Sequence, residues 1–382
     1  MRTRHLTLAA LLLAFTFNAN ADSPYAPWKN GPPKDDTYFP IAVWLQSPSR
    51  AAQYKAIGIN TYVGSWRGPS PRDLETLQKE GISLYCSFKP ELKNEKTIIG
   101  WMHGDEPDNA QSLPGGKGYG PPITPDKIVA DYQKIKAAAP TRPVMLNLGQ
   151  GVAYDNYIGR GVRRHKLEDY PKYIQGSDIV SFDIYPVVHE TPEIAGHLEY
   201  VPKGVTRLRE WSSDQKIVWN CIETTHISNV NAKATPQQVK TEVWMSLIHG
   251  SRGIIYFAHE FKPKFVEAGL LADKEMATAV GQINAQIKSL APALNAPEEK
   301  SAVTLTNSND PSPIAFTARR ANGALYLFAV AMRNTPTHAT FTLKTPAKVE
   351  VLDESRTLDA PSGKLEDDFK GYEVHLYKIT PQ

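Results

Sequence analysis

The sequence predicts an α/β protein, a (β/α)8 TIM barrel followed by a small C-terminal antiparallel β-sandwich domain. Three observations predict this fold class. Eight apolar runs of strand length precede residue 300, amphipathic stretches separate nearly every pair of them, and beyond that point the hydrophobic period changes to two. A count of eight strands, each apolar on both faces, favours a closed barrel over an open sheet.

The predicted barrel alternates strands with helices, and several helices carry recognisable capping residues. Ser70 and Pro71 begin one helix as its N-cap and first residue, and a Thr235-x-x-Gln238 capping box begins another. The eight predicted strands are 39–46, 59–65, 82–88, 98–106, 143–149, 178–187, 216–223 and 253–259. The predicted helices include 47–58, 70–81, 125–139, 236–250 and 273–294.

The chain divides into four predicted segments. They are a signal peptide at 1–21, an irregular lead-in at 22–37, the catalytic barrel at 38–297 and the β-sandwich at 298–382. In the last segment apolar and polar residues alternate, and Asn322-Gly323 marks a hairpin turn. We expect this domain to cover one side of the barrel rather than to bind sugar itself, because it has no cluster of aromatic residues.

The amino terminus predicts export from the cytoplasm. Arg2 and Arg4 precede an apolar run from Leu6 to Phe17, and Ala19-Asn20-Ala21 has the small residues of a cleavage site. The apolar run is too short for a comfortable membrane span, and no second run of that kind occurs. The mature protein is therefore expected to be secreted or periplasmic, with no membrane partner.

The composition excludes several classes of protein. With 41% hydrophobic and 22% charged residues, the chain is neither disordered nor fibrous. A net charge of +3 argues against nucleic acid as a partner. Cys86 and Cys221 lie inside apolar strand-like runs, so we expect two buried thiols rather than a disulfide.

Two glutamates follow predicted barrel strands. The fourth strand ends in Asp105-Glu106-Pro107, and the seventh ends in Glu223. Active sites of such barrels lie at the carboxyl ends of the strands, where strands four and seven face each other across the mouth. Two carboxyl groups on either side of a bound sugar are what glycoside hydrolysis requires, one as proton donor and one as nucleophile. The sequence therefore predicts catalytic residues Glu106 and Glu223.

With these two glutamates the chain resembles the retaining glycoside hydrolases of clan A. That resemblance implies that Glu106 is the acid/base and Glu223 the nucleophile. Asp105 stands where the family usually has Asn, and an ionised Asp can accept hydrogen bonds but cannot donate them. Its charge beside Glu106 would help Glu106 to keep its proton, which suits a general acid.

Further residues near the strand ends are candidates for binding the sugar. Tyr185 matches the position of a Tyr or His that the family often aims at the nucleophile, although a packed strand end explains it equally well. His103 shares the strand face of Asp105, and a core histidine is the alternative. Trp66 is the preferred stacking platform. The remaining candidates are Trp101, His226 and His259.

Two long segments follow the fourth and sixth strands and predict the walls of a cleft. They are 108–125, which is rich in Gly and Pro, and 189–209. We expect an oligo- or polysaccharide substrate, no organic cofactor, no metal and no obligate protein partner. Two alternatives remain open, a carbohydrate-binding barrel without turnover and a metal-dependent hydrolase. The second lacks a His-x-His pair after the first strand.

Overall fold

The computed structural model describes residues 23–307 and 312–381, so the predicted signal peptide lies outside the described residues. The described chain contains the predicted parallel barrel. Its strands are β1 Ile41–Trp44, β2 Thr61–Val63, β3 Ser83–Ser87, β4 Ile98–Met102, β5 Val144–Leu148, β6 Ile179–Phe182, β7 in two parts, Ile217–Val218 and Asn220–Glu223, and β8 Ile254–Phe257. All of them fall within the runs predicted from the sequence.

The strands form one parallel sheet that returns to its starting point. Counted as separate segments it has nine strands, because Trp219 interrupts β7. The first part of β7 pairs with β6 and the second part with β8, and β8 in turn pairs with β1. The two ends of the sheet are therefore halves of a single strand, and the predicted TIM barrel is confirmed.

Helices surround the barrel and begin where the capping residues predict. Ser70 and Asp73 form a reciprocal capping box at the start of α2, and Thr235 and Gln238 form another at the start of α6. The helices are α1 Ala51–Ala56, α2 Pro71–Lys79, α3 Pro125–Ala138, α4 Tyr170–Ile174, α5 Tyr200–Trp211, α6 Pro236–Ile248, α7 Gly269–Ala272, α8 Lys274–Ser289 and α9 Ala291–Asn295. Within the described ranges no helix has the length and apolar character needed to cross a bilayer.

Side chains fill the inside of the barrel, and the lead-in packs against them. Tyr25, from the lead-in, is 1% exposed, and its hydroxyl donates to the Arg252 carbonyl at 2.7 Å and accepts from the Trp219 indole at 3.0 Å. Both partners lie near the amino ends of β7 and β8. The lead-in therefore closes the end of the barrel opposite the predicted mouth. Cys86 and Cys221 are buried free thiols, as expected.

Two antiparallel sheets follow the barrel, which confirms the predicted C-terminal β-sandwich. Their strands are β9 Val303–Asn307, β10 Ile314–Ala321, β11 Ala324–Ala331, β12 Thr337–Leu343, β13 Ala347–Val351, β14 Arg356–Ala360, β15 Lys364–Phe369 and β16 Val374–Pro381. The sheet orders are β9-β12-β15 and β10-β11-β16-β13-β14. Helix α6 lies between this domain and the barrel, where the rings of Trp244 and Phe328 are 5.1 Å apart and Thr241 donates to the Tyr372 carbonyl at 2.6 Å.

Candidate active site

The loops after β4 and β6 bring carboxyl groups together at the mouth of the barrel. β4 ends at Met102 and β6 at Phe182, several residues before the apolar runs end. Asp105, Glu106 and Asp183 therefore lie on loops. Glu106 has φ 40°, in the left-handed region that L residues seldom adopt. Such a conformation persists where surrounding contacts hold it, and it occurs often at functional sites.

Glu106 and Asp183 form a carboxyl pair. Their carboxyl groups lie close enough for each to act on the other, and because two adjacent carboxylates repel each other, one of them must carry a proton. Burial, followed by the charge of Asp183, raises the pKa of Glu106 well above its ordinary range. Burial likewise raises the pKa of Asp183 to about 7. The shared proton therefore belongs mainly to Glu106 at neutral pH. Sequence reasoning missed Asp183, although a carboxylate inside the sixth apolar run, 178–187, was the available signal.

A chain of hydrogen bonds fixes Asp105 beside this pair. Its Oδ1 accepts from the Asn147 carboxamide at 2.9 Å, and the Asn147 carbonyl oxygen accepts from the Ser181 hydroxyl at 2.8 Å. Protein packed around the Asp105 carboxyl raises its pKa, and the Asn147 hydrogen bond opposes that shift. The residue is nevertheless open to solvent on one side. Asp105 is therefore free to accept a hydrogen bond from a ligand.

Glu223 is not at the mouth in the way the sequence predicts. The residue has 0% exposure, and its carboxyl oxygens accept hydrogen bonds from the amides of Val187 at 2.7 Å and Val188 at 3.0 Å. Its charged neighbour is Glu242 on α6, whereas the charge acting most strongly on Glu106 is that of Asp183. In this structure the enclosed Glu223 carboxyl is not open to the cleft, which differs from the predicted arrangement, and its role as nucleophile stays a prediction.

A cleft of about 510 Å³ lies beside the acid pair, and its lining includes Tyr157 and Tyr185 but neither Glu106 nor Asp183. The loops after β5, β6 and β7 line it, with Tyr157 and Tyr185 at the side of the carboxyl groups. The charge of Glu106 acts on Tyr157, and that of Asp183 acts on Tyr185. The buried Tyr185 hydroxyl has no hydrogen-bond partner of good geometry among the described residues. Tyr185 thus lies on the wall of the cleft, and its predicted part in binding sugar stays a prediction.

A larger cavity of about 630 Å³ lies elsewhere, between α6, α8 and Asp353. It opens on the outside of the barrel, and its charged lining consists of Lys240 and Asp353. The cavity with the larger volume is therefore not the one near the carboxyl pair. We favour the smaller cleft as the active site because chemistry needs titratable groups at the carboxyl ends of the strands.

A buried ion-pair network holds the loops that carry the site. Asp108 has 0% exposure and accepts from the Gly149 amide at 2.9 Å and from the Tyr170 hydroxyl at 3.1 Å. Arg160 lies 3.7 Å from Asp108 and 2.8 Å from Asp169. These contacts join the loop after β4 to the loop after β5. The network was not foreseen, because its members are separated by up to 61 positions and carry no motif.

Two predicted binding residues lie outside the mouth. The His103 ring nitrogen is 2.8 Å from the Gly176 carbonyl at the end of α4, so this histidine is a buried core residue. Trp101 has 0% exposure and packs against Phe88 and Arg142. The positions of His103 and Trp101 differ from the prediction for the same reason. Trp101 faces the helices from β4, and after Met102 the chain is no longer a strand, so alternation does not place His103 beside Asp105.

The other three candidates lie on loops at the correct end of the barrel. His226 is half-buried, and its Nδ1 is 2.9 Å from the Ala232 carbonyl within its own loop. His259 is buried beneath aromatic rings, and burial lowers its pKa. Trp66 is 48% exposed, and its indole donates to Glu267 at 2.9 Å. In residues 23–307 and 312–381, no three His, Cys, Asp or Glu residues gather as a metal site would require.

Trp66 belongs to an aromatic surface at the rim of the mouth, which we define as Trp66, Phe261 and Phe265. Phe261 and Phe265 are 46% and 53% exposed, and the two rings are 5.7 Å apart. The centre of the His259 ring lies 5.8 Å from that of Trp66, in an edge-to-face arrangement. The same ring stacks on Phe265, with 5.8 Å between the ring centres. Phe257 continues the ring contacts from Phe261 to Tyr185, so the surface extends to the cleft.

Comparison with known proteins reveals similarity of shape without similarity of sequence. No protein-family model matches the chain, and a sequence search of curated proteins finds no match. A structure of AmyP in complex with maltose is 10% identical with TM-score 0.57, over 90% of this chain and 96% of that one. The α-amylase of Geobacillus thermoleovorans with acarbose is 11% identical with TM-score 0.55, over 91% and 99%. α-Galactosidase I of Mortierella vinacea is 9% identical with TM-score 0.54, over 91% and 98%. At such low identity the likeness shows the fold.

Proposed function

We propose that this protein is a glycoside hydrolase that cleaves an oligo- or polysaccharide, with Glu106 as general acid and Asp183 as its partner carboxylate. The Glu106–Asp183 pair, which acts on the cleft residues Tyr157 and Tyr185, is the observation that carries this proposal. One neutral and one ionised carboxyl, held side by side at neutral pH, are the two protonation states that glycoside cleavage needs. The names of the structural neighbours, α-amylase and α-galactosidase, support the same class of reaction.

The geometry favours the retaining mechanism. Inverting enzymes separate their carboxyl groups by about 6.5–9.5 Å to admit a water, and retaining enzymes by about 5–5.5 Å. A pair of adjacent carboxyl groups leaves no room for that water and needs only a small separation to admit the glycosidic oxygen. Glu106 would give its proton to the leaving oxygen while Asp183 attacks the anomeric carbon. Glu106 would then deprotonate a water that hydrolyses the ester.

The surrounding residues supply groups that suit a sugar. Asp105 can accept a hydrogen bond from a sugar hydroxyl, and the Tyr185 hydroxyl is free of good partners among the described residues. The exposed rings of the aromatic surface can stack on the apolar faces of further sugar units. Such stacking would favour a substrate of several units. We add β-specificity to the proposal, because the resemblance to clan A enzymes implies it.

Digestion of a panel of polysaccharides and α- and β-aryl glycosides tests the proposal, with chromatographic and NMR analysis of the products. We expect release of reducing sugar with retained configuration by the parent, and a loss of about 10²–10⁴-fold in Glu106→Gln and in Asp183→Asn on natural glycan. Asp359→Asn, on β14, is the matched control and should match the parent. Turnover by both site variants at the parental rate would refute the assignment. Binding of glycan without any turnover would favour the non-catalytic alternative.

We also propose that the protein acts outside the cytoplasm, because residues 1–21 have the features of a signal peptide. Fractionation of expressing cells, with sequencing of the mature amino terminus, tests this. A mature chain that begins at Asp22 is the expected result. Retention of the full leader in the cytoplasm would contradict it.

A further inference from the structure

Two fully buried carboxyl groups face each other between β7 and α6, and the proposed mechanism uses neither. Glu223 ends β7 and Glu242 lies on α6, and both residues have 0% exposure. Each carboxyl is the charged group that acts on the other, so the two groups are adjacent. Within the described chain, the Glu242 oxygens have no partner other than this carboxyl. Two adjacent carboxylates repel each other, so one of the two groups keeps its proton.

The surrounding donors decide which group holds the proton. The amides of Val187 and Val188 donate to the two Glu223 oxygens, at 2.7 and 3.0 Å, and donors of this kind favour the charged form of a carboxyl. Glu242 receives no such donor, so an ionised Glu242 would be a second negative charge buried without compensation. The proton therefore belongs on Glu242, which donates to Glu223.

Among the described residues, no cation acts on either carboxyl. Other titratable side chains on the elements packed here are Cys221 on β7, Asp183, Tyr185, His189 and Glu190 on the loop after β6, Lys240 on α6 and Tyr372 of the C-terminal domain. Among the described residues, none of these is a group that acts on either carboxyl, and the charge set against each is that of the other. The pair is therefore stable when it holds one proton. When both groups ionise, the repulsion between their charges destabilises it.

We propose that Glu242 keeps its proton in the folded protein, donates it to Glu223, and thereby positions the wall of the cleft through the amides of Val187 and Val188. Val188, His189 and Tyr185 all line the cleft and belong to the same loop as these amides. Two weaker ties hold that loop, from Asn229 to the Val188 carbonyl at 3.1 Å and between His189 and Gln150 at 2.9 Å. Neither contact supplies an acceptor for the amides of Val187 and Val188, because both amides point to the Glu223 carboxylate. Glu223 and Glu242 are thus positioning residues.

The sign of the pH effect follows from burial. Burial raises the pKa of Glu223 from its ordinary value of 4.5 to about 7, and it raises the pKa of Glu242 well above that ordinary value. The folded protein therefore holds these protons more tightly than the unfolded chain does. Stability from the pair is complete below the unfolded pKa and declines as pH rises through the folded values. Loss of the Glu242 proton should release the loop on the alkaline side.

Hydrogen exchange with mass spectrometry between pH 6 and 9 tests this in the whole protein, with intrinsic rates corrected for pH. In the parent, the protection of peptides covering 185–191 should fall by up to about tenfold per pH unit at the alkaline end, the limit for opening coupled to one proton. Glu242→Gln keeps a donor to Glu223 but cannot ionise, so its protection should be constant over this range. Glu210→Gln, an exposed substitution on α5, is the matched control and should follow the parent.

Two results would overturn the proposal. The first is a parent whose 185–191 protection does not change with pH, and the second is Glu242→Gln changing in parallel with the parent. If Glu242→Gln does not fold, ¹³C-glutamate NMR of Glu106→Gln decides, because two carboxyl groups should still titrate well above pH 5. Titration of all its glutamates below that value would equally refute the pair. Neither readout depends on hydrolysis, so failure here is distinct from failure of the proposed enzyme activity.

Discussion

The Asn109 carboxamide donates a hydrogen bond to Glu106 Oε2 at 2.8 Å, and Gly149 leaves the space that this carboxamide fills. A Cβ at position 149 would lie 2.6 Å from Asn109 Nδ2, closer than atoms can approach. The glycine is therefore needed for close approach, and the general acid depends on a backbone position in the loop after β5.

Gly149→Ala should displace Asn109 and remove this support from Glu106. We expect hydrolysis to fall by up to about tenfold, since a hydrogen bond to a neutral carboxyl contributes about 0.5–1.5 kcal/mol, and the free energy of unfolding to fall by about 1–3 kcal/mol. Steady-state kinetics and urea unfolding measure the two effects. Gly104→Ala, where a Cβ meets nothing within 4 Å, is the control. Adding Asn109→Ala to Gly149→Ala should cost little more, and full additivity would contradict the linkage.

Chemical rescue distinguishes the two candidate nucleophiles. Asp183→Ala should lose hydrolysis and regain turnover of an activated aryl glycoside when azide is added, because azide can occupy the place of the missing carboxylate and attack the anomeric carbon. Glu223→Ala should show no azide rescue, since its side chain is enclosed by Val187, Val188 and Glu242. NMR of the glycosyl azide gives its configuration. Rescue at Glu223 with none at Asp183 would restore the assignment made from the sequence.

The acid pair should give a bell-shaped dependence of kcat/KM on pH. Asp183, with its pKa raised to about 7, must lose a proton to attack, so activity should rise through neutral pH. Glu106, whose pKa is raised well above its ordinary range, must keep a proton, so activity should fall on the alkaline side. The two limbs belong to the coupled pair. Glu106→Gln, assayed on a substrate with an excellent leaving group, should lose the alkaline limb alone. An optimum near pH 4 in the parent would exclude this scheme.

Arg160 should be a large contributor to stability. Its side chain is 3% exposed between Asp108 and Asp169, so Arg160→Met leaves two buried carboxylates short of their partner. We expect a loss of about 3–5 kcal/mol in the free energy of unfolding, measured in urea. Arg163→Met removes an arginine that is 42% exposed and also contacts Asp169, and should cost about 1 kcal/mol or less. Equal losses of unfolding free energy in the two variants would show that the buried Arg160 network contributes no more to stability than the exposed Arg163 contact.

Much of the fold can be predicted from the sequence because its signals are local. Alternating apolar runs and caps such as Thr235 with Gln238 record which segments become strands and helices, and those assignments hold in the structure. The same patterns place Glu106 at a strand end of the barrel. The interruption of β7 at Trp219 and the closure by Tyr25 have no such local signal.

The candidate site depends on the directions of side chains beyond the strand ends, which local sequence patterns do not predict. β4 and β6 end before their apolar runs do, and beyond a strand end the alternation of side chains no longer holds, which is why His103 points to Gly176. Glu223 was expected to face the cleft, but the two amides of the loop after β6 and the Glu242 carboxyl enclose it.

The amino-acid sequence by itself determined the barrel, its C-terminal sheets and the presence of acids at the strand ends, because hydrophobic period and capping act over a few residues. Only the tertiary structure decided that Glu106 meets Asp183 and that Glu223 meets Glu242. The physical reason is that a carboxyl group finds its partner across loops, where distance in space is independent of distance along the chain.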